Sequence, residues 1–185
     1  MPHSATSSSF DVLAVGHLGE LTGIVPPELV DAALEVAGGR EKRLRRLPSR
    51  VVIYLLLAGA LFAEQGWQQV WARLTSGLDT VVPRPAKSSI TQAMRRVGHR
   101  PLRELFTLLA GPAPTHASGA VRFAGRLVVA IDGTQIPVAD TEANQRTFPK
   151  PRPGPNGEAG YPFLRLVALM ACGTRTIIEA VFGSD

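Results

Sequence analysis

Cysteine is nearly absent from this 185-residue chain: Cys172 stands alone, so no disulfide can form within it. Its apolar neighbours read as the setting of a buried structural thiol rather than a nucleophile. Long apolar runs are also missing. The longest, Val51 to Ala63, has thirteen residues, whereas a helix crossing a bilayer needs about 20; no membrane span is expected. Met1 to Ser9 is small and polar, without the basic region and apolar core of a secretory signal, so a cytoplasmic, nucleoid-associated location is expected. There is no internal repeat and no glycine-rich loop of the P-loop or dinucleotide type. The first 39 residues lack Lys and Arg altogether while holding five acids.

What is present is enough for a core. Hydrophobic residues make up 45% of the chain and charged residues 19%, a balance that excludes wholesale disorder. The basic charge is concentrated: residues 40–103 hold thirteen bases against three acids. Such a block suits neutralisation of phosphates, although the preference for Arg over Lys also fits a codon bias.

Along the chain, residues 1–16 form a Ser-rich tail expected to be mobile, and residues 17–110 read as a helical domain. Pro26-Pro27-Glu28 opens a short amphipathic helix that Gly38-Gly39 closes. After the basic run Arg40 to Arg46, Arg50 to Gln65 reads as a central helix, apolar nearly all round. Trp67, Val70, Trp71 and Leu74 recur at helical spacing, and both tryptophans are expected in the core. His17 has no His, Cys or acidic partner at metal-ligand spacing and is expected to be a surface or packed side chain, and His116 is expected to be solvent-exposed.

Ser88-Ser89 offer an N-cap for a helix over Ile90 to Val97 whose apolar stripe is Ile90, Ala93, Met94 and Val97. Gln92, Arg95 and Arg96 lie off that stripe, and Lys87 precedes it. Helix-entry amides and Lys suit phosphates, while Gln and Arg suit base edges, so Lys87, Ser88, Gln92, Arg95 and Arg96 are the candidate DNA contacts. A solvated charged face explains the same residues equally well. Residues 111–125 are rich in Pro, Gly, Ala and Ser and read as a linker between domains. Beyond it, Leu127–Ile131, Gln135–Ala139, Phe163–Ala171 and Thr176–Phe182 read as strands, with a Pro/Gly-rich excursion at 149–157.

Arg126 to Thr134 carries the one candidate catalytic residue, Asp132. Alternation over Leu127 to Asp132 describes a strand buried on both faces with a carboxylate near its end. Asp132-Gly133 between two apolar runs is also the strongest short-range signal for a tight hairpin turn, the reading that local pattern favours. Both readings stand on local pattern.

The wider order of motifs adds a third consideration. Ile131-Asp132-Gly133-Thr134, Val138-Ala139-Asp140-Thr141 with Asn144 and Phe148, Gly160-Tyr161-Pro162-Phe163 and Cys172-Gly173-Thr174 follow one another. Together they resemble the start of the catalytic domain of bacterial DDE transposases of the insertion-sequence-four family. Arg46 to Val52, Thr75 to Leu78, Lys87 to Ile90 and Pro101 to Phe106 resemble that family's N-terminal region. The resemblance spans about residues 18 to 183 and implies an α + α/β chain: a helical, DNA-binding N-terminal domain, then the first strands of an incomplete RNase H-like domain over 126–185. It implies that Asp132 is the first of three acids holding two Mg²⁺ or Mn²⁺ ions in an intact parent, and that the partner is double-stranded DNA at element ends. Asp140 is then a turn residue bonding backbone amides towards Asn144 rather than a second ligand.

The later Asp and the helical Glu of that triad have no counterpart here: Glu179 does not match the motif and Asp185 precedes it. The expectation is therefore a truncated transposase without cleavage activity. The alternative is a non-catalytic DNA-binding or interfering protein derived from one.

Overall fold

The computed structural model describes residues 18–39, 41, 43, 45–79, 81–110, 121–151, 155, 157 and 160–184. The expectations for the N-terminal tail, His17 and His116 lie outside these residues, as does most of the linker. The chain is mixed α/β and divides into two compact units, 1–106 and 107–185. The division falls inside a helix, just ahead of the stretch expected as linker.

The first unit is helical: α1 (Leu18–Ile24), α2 (Pro27–Val36), α3 (Ser49–Leu61), α4 (Trp67–Thr75), α5 (Lys87–Val97) and the first residues of α6 (Arg100–Ala110). Pro27 takes the first helical position of α2, where a missing N–H costs nothing. Gly38, at φ 68°, lets the chain turn away at its end. α1 had no clear signature, since its single buried side chain is Leu21.

α3 is the centre of this unit, packed against α1, α2, α4 and α5. Val52, Ile53, Tyr54, Leu55 and Ala58 are all at most 2% exposed. The Tyr54 hydroxyl donates to the Val25 carbonyl at 2.6 Å, so the one polar atom on this buried ring is satisfied and α3 is fastened to the turn after α1. Burial raises the Tyr54 pKa above its usual value. The helix stops at Leu61, four residues short of the expected Gln65, because Phe62 leaves helical geometry at φ −118°, ψ 50°. Trp71 is buried, as expected, whereas Trp67 is 39% exposed and lies against Gly59, where any Cβ would strike its ring.

The second unit is a strand unit. β1 (Arg122–Phe123) and β2 (Arg126–Leu127) form a small hairpin through Ala124 (φ 49°) and Gly125 (φ 76°); β1 and the turn fall within the stretch expected as linker, and β2 just beyond it. β3 (Val129–Pro137), β4 (Phe163–Ala171) and β5 (Thr176–Gly183) make an antiparallel meander in the order β3-β4-β5. A short helix, α7 (Glu142–Thr147), follows β3. Cys172 is half-buried in the turn after β4, not in a core; its backbone N–H donates to Val128 and its carbonyl accepts from Val121.

Two expectations about β3 are corrected. No hairpin forms at Asp132-Gly133: β3 pairs without interruption from Val129↔Ala171 to Pro137↔Phe163. Gly133 does not take the positive φ that a type I′ turn demands. Nine consecutive cross-strand partners outweigh one local turn signal. Nor is the strand buried on both faces with Asp132 near its end. Asp132 lies within β3, Ile131 is 74% exposed and Val129 39%, because β3 is an edge strand whose faces carry no second layer among the described residues of this unit.

Candidate metal strand and DNA-contacting helix

Asp132 projects from the middle of β3, beside Ala168 of β4 and, beyond it, Ala180 of β5. The small neighbours leave the carboxylate exposed, and its Oδ1 accepts from the adjacent Gly133 N–H at 2.8 Å. Glu179 pairs with Leu169, the partner of Ile131. Successive residues alternate faces, so Glu179 occupies the face opposite Asp132 and cannot share a cation with it.

Asp140 has a structural task, different from the one expected of it. Its carboxylate accepts from Lys150 Nζ at 2.8 Å and Gln145 Nε2 at 2.5 Å, side chains rather than backbone amides. The Lys150 ammonium, with help from Gln145, holds the Asp140 carboxyl below the usual carboxylate range. Backbone capping of α7 falls instead to Thr141, whose hydroxyl accepts from Asn144 N–H, while Asn144 Nδ2 donates back to Ala139. Among the described residues no three His, Cys, Asp or Glu side chains converge. They do not fit a two-metal centre, which needs several oxygen ligands around each ion.

The candidate DNA-contacting residues do come together on α5. The helix starts earlier than expected: Ala86 is its N-cap and makes no side-chain cap bond, so Ser88 and Ser89 lie in the first turn and do not cap it. Ala86 is extended, at ψ 148°, and the helix follows it directly. Ile90, Ala93 and Val97 are buried, which turns Lys87, Ser88, Gln92 and Arg95 outward into solvent.

Arg96 has a different environment. Its Nη2 donates to the Leu47 carbonyl at 2.6 Å, and its Nε lies 3.1 Å from Glu41 Oε1. Arg45 Nε lies 3.3 Å from the same oxygen, and the Ser49 N–H at the start of α3 donates to Glu41 Oε2 at 3.2 Å. Oε1 is paired with both guanidiniums by charge, although neither N–H is aimed squarely at it. Glu41 is thus the hub joining the basic segment, α3 and α5. Sequence reasoning passed over it; the one available signal was a single acid inside the basic run Arg40 to Arg46. Its partner Arg96 lies far away along the chain, beyond any local pattern.

Comparison with known proteins defines the class. The family described as "Insertion element 4 transposase N-terminal" matches residues 15–107, just over half of the chain. The chain belongs to this transposase family. It is 29% identical over 167 residues to "Transposase InsG for insertion sequence element IS4" of Escherichia coli (strain K12), covering 90% of this chain and 37% of that protein. It is likewise 29% identical over 164 residues to "Putative transposase InsZ" of the same organism, covering 85% of this chain and 52% of that one. The chain therefore spans between about a third and about a half of the relatives' lengths. No solved structure matches it. Among the described residues no helix is long and apolar enough to cross a membrane.

Proposed function

We propose that these 185 residues are the DNA-handling front of an insertion-element transposase, binding duplex DNA at element ends through α5 and the basic segment before α3. The observation that carries this reading is the outward row Lys87, Ser88, Gln92 and Arg95 on a helix held in place by its buried opposite side. Lys87 and the first-turn amides suit backbone phosphates, and Gln92 and Arg95 suit base edges in the major groove.

β3 to β5 begin an RNase H-like domain in this reading, and Asp132 supplies one of three carboxylates for two divalent ions, Mg²⁺ or Mn²⁺, when the remaining acids are present. The transposase family membership and the order of motifs around Asp132 support that assignment. Phosphodiester chemistry with two ions needs more than one carboxylate. By themselves, then, residues 1–185 bind DNA without cutting it and can act as an interfering, non-catalytic binder at element ends.

Fluorescence anisotropy with duplex DNA tests the reading. Lys87→Ala should weaken binding to all sequences alike and lower the log–log salt slope by about 0.9, the value for one phosphate. Gln92→Ala or Arg95→Ala should cost about 5- to 100-fold on the preferred end sequence and much less on random DNA. Equal affinity of wild type and all three variants would sink the proposal. Mg²⁺-dependent nicking by residues 1–185, abolished in Asp132→Ala, would overturn the non-cleaving part alone.

A further inference from the structure

The contacts of Glu41 describe an anion site already holding an anion. A cavity of about 360 Å³ lies between the end of α2 and the start of α3, lined by Gly38, Gly39, Arg43, Arg45, Ser49 and Arg96. Glu41 also lines it, and its side chain is only 16% exposed. One carboxylate oxygen takes the Ser49 N–H, the first amide of a thirteen-residue helix; the other takes two guanidiniums at 3.1 and 3.3 Å. A helix-entry amide, several arginines and a cavity open to solvent are together what a phosphate requires. A carboxylate meets that requirement only in part, having two oxygens and a single charge, and Arg43 remains exposed at the rim.

We propose that this cleft receives a phosphate group of the DNA backbone, and that Glu41 occupies it in the DNA-free chain as a competing internal anion. The proposal rests on the DNA-binding reading above and extends it to a second contact region, formed by Arg43, Arg45, Ser49 and Arg96. It gives Arg96 a consistent role. Arg96 is tied to Glu41 and Leu47 when DNA is absent, and its Nε becomes available to a phosphate when the Glu41 carboxylate leaves. Like charges cannot share the cleft, so DNA must displace Glu41, and the carboxylate lowers affinity until it is displaced.

Duplex DNA binding is measured by anisotropy across a salt series for wild type, Glu41→Gln and Glu64→Gln, the last removing an equal charge from the exposed turn after α3. Glu41→Gln should bind about three- to tenfold tighter with the log–log salt slope little changed, because a phosphate fills the cleft in both complexes and only the competing carboxylate is lost; Glu64→Gln should change affinity by about twofold at most. In parallel, inorganic phosphate is titrated at constant ionic strength while the Ser49 amide is followed by proton–nitrogen NMR. A saturable shift in Glu41→Gln, weaker in wild type, is expected. Arg45→Ala keeps the other Glu41 contacts and should weaken DNA binding and flatten the slope, so the idea stays testable if Glu41→Gln does not fold.

A Glu41→Gln variant that folds but binds DNA no better than wild type would overturn the proposal. So would an Arg45→Ala variant with unchanged affinity and slope. If none of the variants binds DNA while the Ser49 amide still titrates with phosphate in Glu41→Gln, the cleft stands as an anion site and the DNA-binding reading falls.

Discussion

The two units of this chain are held together by different forces. In the helical unit Val30, Val52, Leu55, Ala58 and Val70 are wholly buried, so the apolar side chains of three helices exclude water from a common core. In the strand unit Ile131, Val181 and Phe182 are 60% exposed or more, although β3, β4 and β5 are continuously paired. Backbone ladders satisfy polar groups but contribute little net stability unless a face is also buried. The lesson is that regular secondary structure and a core are separate achievements. The first unit has both, and the second has an extended ladder with apolar side chains still in contact with water.

The largest expected effect tests that contrast directly. Leu55→Ala should lower stability by about 2–5 kcal/mol, because a cavity is left in a closed core, whereas Ile131→Ala should change it by about 0.5 kcal/mol or less. Urea denaturation of both variants measures the difference; comparable losses would mean that the strand unit buries Ile131 in solution. Native-state hydrogen exchange sharpens the point, with amides of α3 expected to exchange far more slowly than those of β3.

Next in size is Tyr54→Phe. It removes the donor to the Val25 carbonyl and leaves a buried acceptor unpaired, which should cost about 1–2 kcal/mol in the same assay. The exposed ion pair of Arg50 with Asp31 lies on the same unit. Asp31 hydrogen-bonds the guanidinium and raises its pKa, yet half of each side chain faces solvent, so Asp31→Asn should cost no more than about 0.5–1 kcal/mol.

The smallest effect concerns pH in the strand unit. Lys150 and Gln145 hold the Asp140 carboxyl below its usual range, so in the folded chain it stays ionised to lower pH than in the unfolded chain. Its contribution to fastening α7 is complete above the unfolded pKa and is lost as pH falls through the lowered folded value. Carboxyl-carbon NMR should show Asp140 titrating below an ordinary aspartate, and Lys150→Met should move that titration upward. No upward movement would show that Lys150 is not the cause.

The helices α2 to α5 were legible because apolar spacing, Pro27 and Gly38 act within a few residues of one another. α1 and α7 were not, being seven and six residues long with almost nothing buried. The candidate site was legible in part. The outward side chains of α5 follow from the buried positions of its stripe, but the ties of Arg96 do not, because Glu41 and Leu47 are brought to it from another segment.

The sequence alone determined the class of protein, the helical character of the first half and the strand character of the second, since composition, periodicity and motif order are local or additive properties. Only the tertiary structure decided that Asp132 lies inside a strand and not in a turn, that Glu179 is on the opposite face, and that Glu41 collects two arginines and a helix-entry amide. The physical reason is the same in each case. Cross-strand register and long-range charge pairing depend on which segments meet, and a local pattern does not encode the meeting.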